Sequence, residues 1–299
     1  MFGAIVGDIV GSRFEHSPIK SKDFALFTDE CRCTDDSVMT CAIAEGIMNG
    51  GDDDDFIDAL KKYGRMFPSV GYGARFMRWV FSDSRKPIGS FGNGSAMRVS
   101  PCAWVMDCGF LARTGFLPIV GRELAERSIK VTHDDERGVK GGMAVADSIF
   151  LARYYFGGCH DEWTHSIADN PRECKRRIQD FVIRHYGYNL DLSLDRIRPS
   201  YRLDASCQGS VPEAIVCFLE SVDFEDALRN AVSLGGDSDT QAAIAGSIAH
   251  AAYGIPDDIA KRALEFVPSP LRDVLERWND YYHPYDNPHL FFEHHPRKE

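Results

Sequence analysis

The run Leu234-Gly235-Gly236-Asp237-Ser238-Asp239-Thr240, with the small-residue stretch Gln241 to Tyr253 behind it, constrains this chain more than any other feature. A Gly-Gly turn hands the chain to a helix carrying Ala242, Ala243, Ala245, Gly246, Ser247, Ala249, Ala251 and Ala252. Side chains this small let neighbouring helices approach closely, which places the helix at the centre of the fold and buries its first turn. Carboxylates there need a reason. Capping explains one of them, because an Asp at a helix start accepts hydrogen bonds from unpaired first-turn N–H groups and complements the macrodipole. Asp237, Asp239 and Thr240 together exceed a cap, and carboxylates so close repel unless a cation lies between them. No Cys or His accompanies them, so the ion that suits them is a hard divalent one such as Mg2+, Mn2+ or Ca2+.

A second cluster of the same composition, Thr34-Asp35-Asp36-Ser37, opens the apolar run Val38 to Met48, which Asn49-Gly50 ends with a C-terminal cap signal. Either cluster alone is compatible with capping. Two buried helix N-termini, each bringing two carboxylates and a threonine hydroxyl, could converge on a two-metal site.

These two motifs, with Gly3-Ala4-Ile5-Val6-Gly7-Asp8-Ile9-Val10-Gly11-Ser12-Arg13-Phe14-Glu15 ahead of them and Phe91-Gly92-Asn93-Gly94-Ser95-Ala96-Met97-Arg98 between, resemble the ADP-ribosylglycohydrolase family over nearly the whole chain and in the expected order. That family comprises ADP-ribosyl-acceptor hydrolases and dinitrogenase reductase-activating glycohydrolases. The resemblance implies an all-α fold, a compact multi-helix orthogonal bundle with a binuclear metal site in a central cleft. It implies two divalent cations, Mg2+ or Mn2+, as cofactors, and hydrolysis of an N- or O-glycosidic bond at the anomeric carbon of ADP-ribose. On this view Thr34, Asp35, Asp36, Asp237, Asp239 and Thr240 hold the metals, and one of Glu15, Asp35 or Asp36 takes the proton from the attacking water. The Gly92, Asn93, Gly94, Ser95 and Met97 loop borders the substrate, with His133 nearby. Two departures stand out. Some members carry an Asp where this chain has Ser90, and many have a Gly-Tyr-Val segment contacting adenosine or ribose where this chain has Gln208-Gly209-Ser210-Val211; Gly209 and Ser210 inherit that contact as expectations.

The 299 residues, 44% of them hydrophobic, suffice for one large domain, taken as 1–282 with an irregular tail at 283–299. A formal net charge of −11 argues against nucleic acid or an anionic membrane as principal partner. The expected partner is instead an ADP-ribosylated protein or a small-molecule ADP-ribose conjugate. Nine scattered cysteines read as reduced, mostly buried thiols. Met1 to Val10 is apolar but interrupted by Asp8 and lacks a basic leader, so a cytoplasmic monomer is expected.

Along the chain, Gly3, Gly7 and Gly11 form a small-residue stripe on a helix over 3–14, where close helix contact offsets the cost of glycine. Asp52 to Asp55 lacks the ligand spacing of an EF-hand and reads as a solvated helix start. Residues 68–101 are poor in helix signals. Helices are expected over 119–130, 137–156 and 171–186, and a long functional connection over 187–210. The His294-His295 pair reads as part of an ordinary surface tail. Two other functions stay open: a non-catalytic ADP-ribose-binding homologue, and a phosphohydrolase acting on the pyrophosphate, whose products, AMP and ribose phosphate in place of ADP-ribose, would set it apart. The acceptor (arginine, serine, a base or an acetyl ester) is not written in the sequence.

Overall fold

The computed structural model describes residues 1–156 and 170–282, and every regular element among them is an α-helix. In chain order they are α1 (Phe2–Gly11), α2 (Asp35–Asn49), α3 (Asp53–Met66), α4 (Ala74–Phe81), α5 (Gly94–Met97), α6 (Ser100–Trp104), α7 (Cys108–Thr114), α8 (Ile119–Lys130), α9 (Glu136–Tyr155), α10 (Pro171–Tyr186), α11 (Leu194–Ile197), α12 (Cys207–Leu219), α13 (Phe224–Ser233), α14 (Ser238–Tyr253), α15 (Asp257–Phe266) and α16 (Ser269–Tyr281). One isolated antiparallel bridge, Gly92 with Ser206, is the sole sheet-like pairing among the described residues. The expected tail at 283–299 lies outside them.

Helix α14 is buried from Ser238 through Ala251, and its most extensive neighbour is α1. The glycine stripe is the cause. A methyl group added at Gly3, Gly7 or Gly11 would overlap the backbone carbonyl of Gly246, Ala242 or Ser238 respectively, so the two helices run antiparallel with their backbones in direct contact. Helices α2, α9, α12 and α13 then wrap this pair, and α3, α8, α10 and α16 form outer layers. Gly7→Ala should therefore destabilise the protein by about 1–3 kcal/mol through overpacking, although alanine is the better helix former. Thermal melts check this; a melting temperature at or above that of the parent would show that α1 and α14 part without cost.

Local signals account for most helix boundaries. Thr34 caps α2 by accepting from the Asp36 N–H, and Gly50, at φ 145°, closes it. Asp52 and Asp55 form a reciprocal capping box on α3, which is the solvated-start reading of that acidic run. Three departures are physical. Helix α1 stops at Gly11, short of the expected Phe14, and the chain turns so that Glu15 faces back toward α14. Within 68–101 the structure has three short helices; α4 lacks a side-chain cap but buries Trp79 and Val80 on one face. The supposed loop tail at Cys207 is the first turn of α12, capped by Ser206, with Pro212 inside the helix. Seven described cysteines are free and buried, whereas Cys108 is disulfide-bonded, correcting the all-reduced expectation.

Candidate active site and metal centre

The crossing of α1 and α14 brings together carboxylates that are far apart in sequence. Asp8, in the middle of α1, lies with Asp36 of α2 and Asp239 of α14 so that one oxygen of each falls within 4.8 Å of the others. Glu15, Asp237 and Asp239 form a second such triad, and Asp239 belongs to both. Asp8 is the residue that sequence reasoning missed as a site member. Its signal was present: a lone charge inside an apolar, glycine-striped helix has to be buried and has to meet donors or a cation.

Donors occupy Asp8. Its carboxylate accepts from the Thr34 N–H at 2.9 Å, from Thr34 Oγ1 at 2.6 Å, from the Ser37 N–H at 3.0 Å and from the Ser37 hydroxyl. Asp8 thus ties the N-terminus of α2 to α1, and Thr34 spends its hydroxyl there rather than on the cavity. Asp36 differs. Its Oδ2 accepts from Thr240 Oγ1 at 3.3 Å and contacts Thr34 Oγ1 at 3.3 Å. Its Oδ1 is buried and has no hydrogen-bond partner among the described residues. An orphaned carboxylate oxygen on an acid grouped with two others, with hydroxyls beside them and no thiolate or imidazole in either triad, fits a hard cation bound through oxygen. Asn93 Nδ2 clamps Asp237 Oδ2 at 2.7 Å and is itself 3.0 Å from Ser210 Oγ.

Burial pushes every carboxyl of this group up. Asp8 rises to about 6 through desolvation, held back by its four hydrogen bonds. Asp35 rises to about 8 through desolvation and the charge of Asp8. Asp36 and Asp239 are raised well above the ordinary carboxylate range by desolvation, then by each other's neighbourhood: Asp239 acts on Asp36, and Asp237 and Asp8 act on Asp239. Desolvation also raises Asp237 and Glu15. The cluster therefore resists full ionisation unless positive charge compensates it.

Apart from Asp8, these acids line a cavity of about 430 Å3, a volume suited to a nucleotide-sized ligand. Glu15, Asp35, Asp36, Asp237, Asp239 and Thr240 all line it, as do Gly92, Asn93, Gly94, Met97 and His133. Tyr72 and Arg98 line it too, as does Arg75, which the sequence did not single out. Asp35 stands outside both triads, facing the cavity near Tyr72, whose buried hydroxyl has no partner among the described residues. Ser90, at the position of the family's variable Asp, accepts the Gly92 N–H and shapes the turn. Three expected substrate contacts lie behind the wall instead. Ser95 Oγ donates to the Gly138 carbonyl at 2.8 Å, the Gly209 carbonyl accepts from the Tyr201 hydroxyl, and Ser210 Oγ sits at Asn93. For Gly209 and Ser210 the reason is that 207–212 is helix, which turns them into the wall; Ser95 instead lies in the short helix α5 and packs toward α9.

Comparison with known proteins gives the family and the fold. The sequence model described as ADP-ribosylglycohydrolase matches residues 1–289. Among curated relatives, the ADP-ribosylhydrolase ARH3 of Mus musculus is 25% identical over 314 residues, covering 85% of this chain and 82% of the relative. The ADP-ribosylarginine hydrolase Tri1 of Pseudomonas putida (strain GB-1) is 27% identical over 286 residues, covering 85% and 70%. A solved structure titled ADP-ribosylglycohydrolase-related protein complex superposes with a TM-score of 0.59 at 22% identity, covering 94% of this chain and 92% of that one. Because the match spans the glycine-striped helix, both acidic helix starts and the loop between them, the chain belongs to the ADP-ribosylglycohydrolase family.

Proposed function

We propose that the protein hydrolyses the N- or O-glycosidic bond at the anomeric carbon of ADP-ribose, freeing ADP-ribose from a modified protein or a small-molecule conjugate. The observation that carries this reading is Asp239, shared by two acidic triads on the floor of a cavity walled by a glycine loop. Asp36, Asp239 and Thr240 on one side, and Asp237 and Asp239 on the other, would hold two divalent cations, Mg2+ or Mn2+, with Thr34 and Asp35 beside them. Bound there, such ions supply an acidified water and an anchor for ribose hydroxyls.

The side chains divide the remaining work. Asn93 fixes the orientation of Asp237 by donating to its Oδ2. Asp8, saturated by donors from Thr34 and Ser37, holds α2 at the depth that sets Asp36 against Asp239. Of the three candidate bases, Asp36 is enclosed within a triad, Asp35 lies outside both, and Glu15 belongs to a triad while remaining partly exposed. Glu15 is therefore the group that takes the proton from the attacking water. Its raised carboxyl brings its basicity closer to neutral pH, as proton transfer near neutrality requires.

The test is release of free ADP-ribose from arginine-, serine- and acetyl-linked substrates in Mg2+, in Mn2+ and in EDTA. Metal-dependent release concentrated on one linkage is expected and names the acceptor. AMP and ribose phosphate as products would replace this reading with pyrophosphate hydrolysis, and no release on any linkage would replace it with ligand binding alone.

A further inference from the structure

His133 reaches the cavity just beyond the end of α8, and the groups behind its ring decide which nitrogen carries the proton. Thr132 Oγ1 lies 2.7 Å from His133 Nδ1 and 2.7 Å from a terminal nitrogen of Arg98. A guanidinium only donates, so the Thr132 oxygen accepts from Arg98. That hydroxyl has one proton to place, and Thr132 is fully buried with no other acceptor for it among the described residues. Were Nδ1 also a donor, the hydroxyl proton would be stranded in the interior at the full cost of desolvation. The hydroxyl therefore donates to Nδ1, and the ring proton sits on Nε2.

The Nε2 edge lies beside Gly94, which lines the cavity together with His133. A Cβ built on Gly94, in the loop that borders the cavity, would stand 3.5 Å from Nε2. Nε2 itself makes no hydrogen bond among the described residues. Gly138 of α9 and Gly94 of α5 stand close to the ring, and Arg98 is the charged group that acts on it. We propose that Arg98 and Thr132 are positioning residues that lock the ring of His133 as its Nε2–H tautomer, a fixed hydrogen-bond donor to an acceptor oxygen of the ligand, such as a phosphate oxygen. Burial and the Arg98 cation both push the imidazole well below its ordinary range. Arg98, lowered by burial to about 10, keeps its charge at neutral pH. His133 thus gives a hydrogen bond without entering proton transfer. Its ligand contact rests on the proposed ADP-ribose conjugate chemistry; the tautomer does not.

Two readouts test this separately. In the full chain labelled with 15N-histidine, the signal lost in His133→Gln identifies the residue. That signal should show a bare Nδ1 and a protonated Nε2 from pH 6 to pH 8. Thr132→Val should produce a mixed tautomer pattern, and Thr132→Ser should restore the single one. Protonation at Nδ1, or titration to imidazolium within that range, would overturn the assignment whether or not any substrate is cleaved. On the substrate that the wild-type protein cleaves best, Thr132→Val should lower kcat/KM about tenfold, the loss of one aligned hydrogen bond, with Thr132→Ser recovering most of it. His133→Leu should lose at least as much, and His133→Gln, which keeps an amide N–H near the Nε2 position, should lose less. Equal losses in His133→Leu and His133→Gln, together with the disappearance of a limb of the pH–rate profile, would make His133 an acid or base and end the proposal.

Discussion

Adding Mn2+ or Mg2+ to the metal-free protein should raise its melting temperature, and the rise should be larger at pH 8 than at pH 5. The reason lies in the buried acids. Each of Asp8, Asp35, Asp36, Asp237 and Asp239 has its folded-state pKa above its unfolded one, to about 6 for Asp8 and about 8 for Asp35. The folded state therefore holds more protons than the unfolded chain between the two values. The stability linked to those protons is complete below the unfolded pKa, near 4, and is lost as pH climbs through about 6 and then about 8. A metal-free sample is accordingly weakest on the alkaline side. A cation occupies the place that protons vacate, so protons compete with it at pH 5 and scarcely at pH 8. Binding only to the folded state at a thousandfold excess over Kd contributes about 4 kcal/mol, which for a chain of this size is on the order of 5 °C. Melts at both pH values in Mg2+, Mn2+, Ca2+ and EDTA decide the matter. Equal melting temperatures at pH 8 with and without cation would remove the metal centre, and a larger rise at pH 5 would remove the carboxylates as its ligands.

How far the sequence revealed this site depended on whether the signal was local. Helix α14 was legible because small residues, a Gly-Gly turn and acids crowd into one segment, and α2 because its cap and its apolar run are contiguous. The glycine stripe of α1 announced a close partner without naming it. Only the crossing of α1 over α14 shows that Asp8 meets Asp36 and Asp239, since that contact joins three segments in the folded chain. Misplacement of Gly209 and Ser210 has a different origin. Glycine and proline three residues apart suggest a loop, yet Ser206 caps a helix there and Val211, Ala214 and Ile215 bury its inner face, so tertiary packing overrides local preference. Arg98 was visible as a letter of the glycine-loop motif, and Thr132 lies next to the expected His133. Their role behind His133 appears only when two separate turns are seen to share one hydroxyl.

Asp239→Asn should lower kcat/KM by at least about a thousandfold, equivalent to roughly 4 kcal/mol of transition-state stabilisation, while leaving the metal-free fold intact or firmer. The residue belongs to both triads, so an amide there removes charge from both proposed ion positions at once. It also removes one of the charges that repel Asp36 in the empty cluster, because Asp239 is the largest electrostatic influence on that residue after burial. The metal-free melting temperature at pH 8 should therefore not fall, and the cation-induced rise should shrink. Asp8→Asn supplies the contrast. Its carboxylate accepts from two N–H groups and two hydroxyls, and an amide turns an –NH2 toward donors, leaving buried groups unpaired at a cost of about 2–3 kcal/mol. Asp8→Asn should thus lower the melting temperature with or without cation, whereas Asp239→Asn should affect turnover and the cation response alone. Full turnover in Asp239→Asn would exclude a shared catalytic carboxylate. Matching melting curves for the two variants would show that Asp239, like Asp8, serves the fold and that the cluster's chemistry lies elsewhere in the cavity.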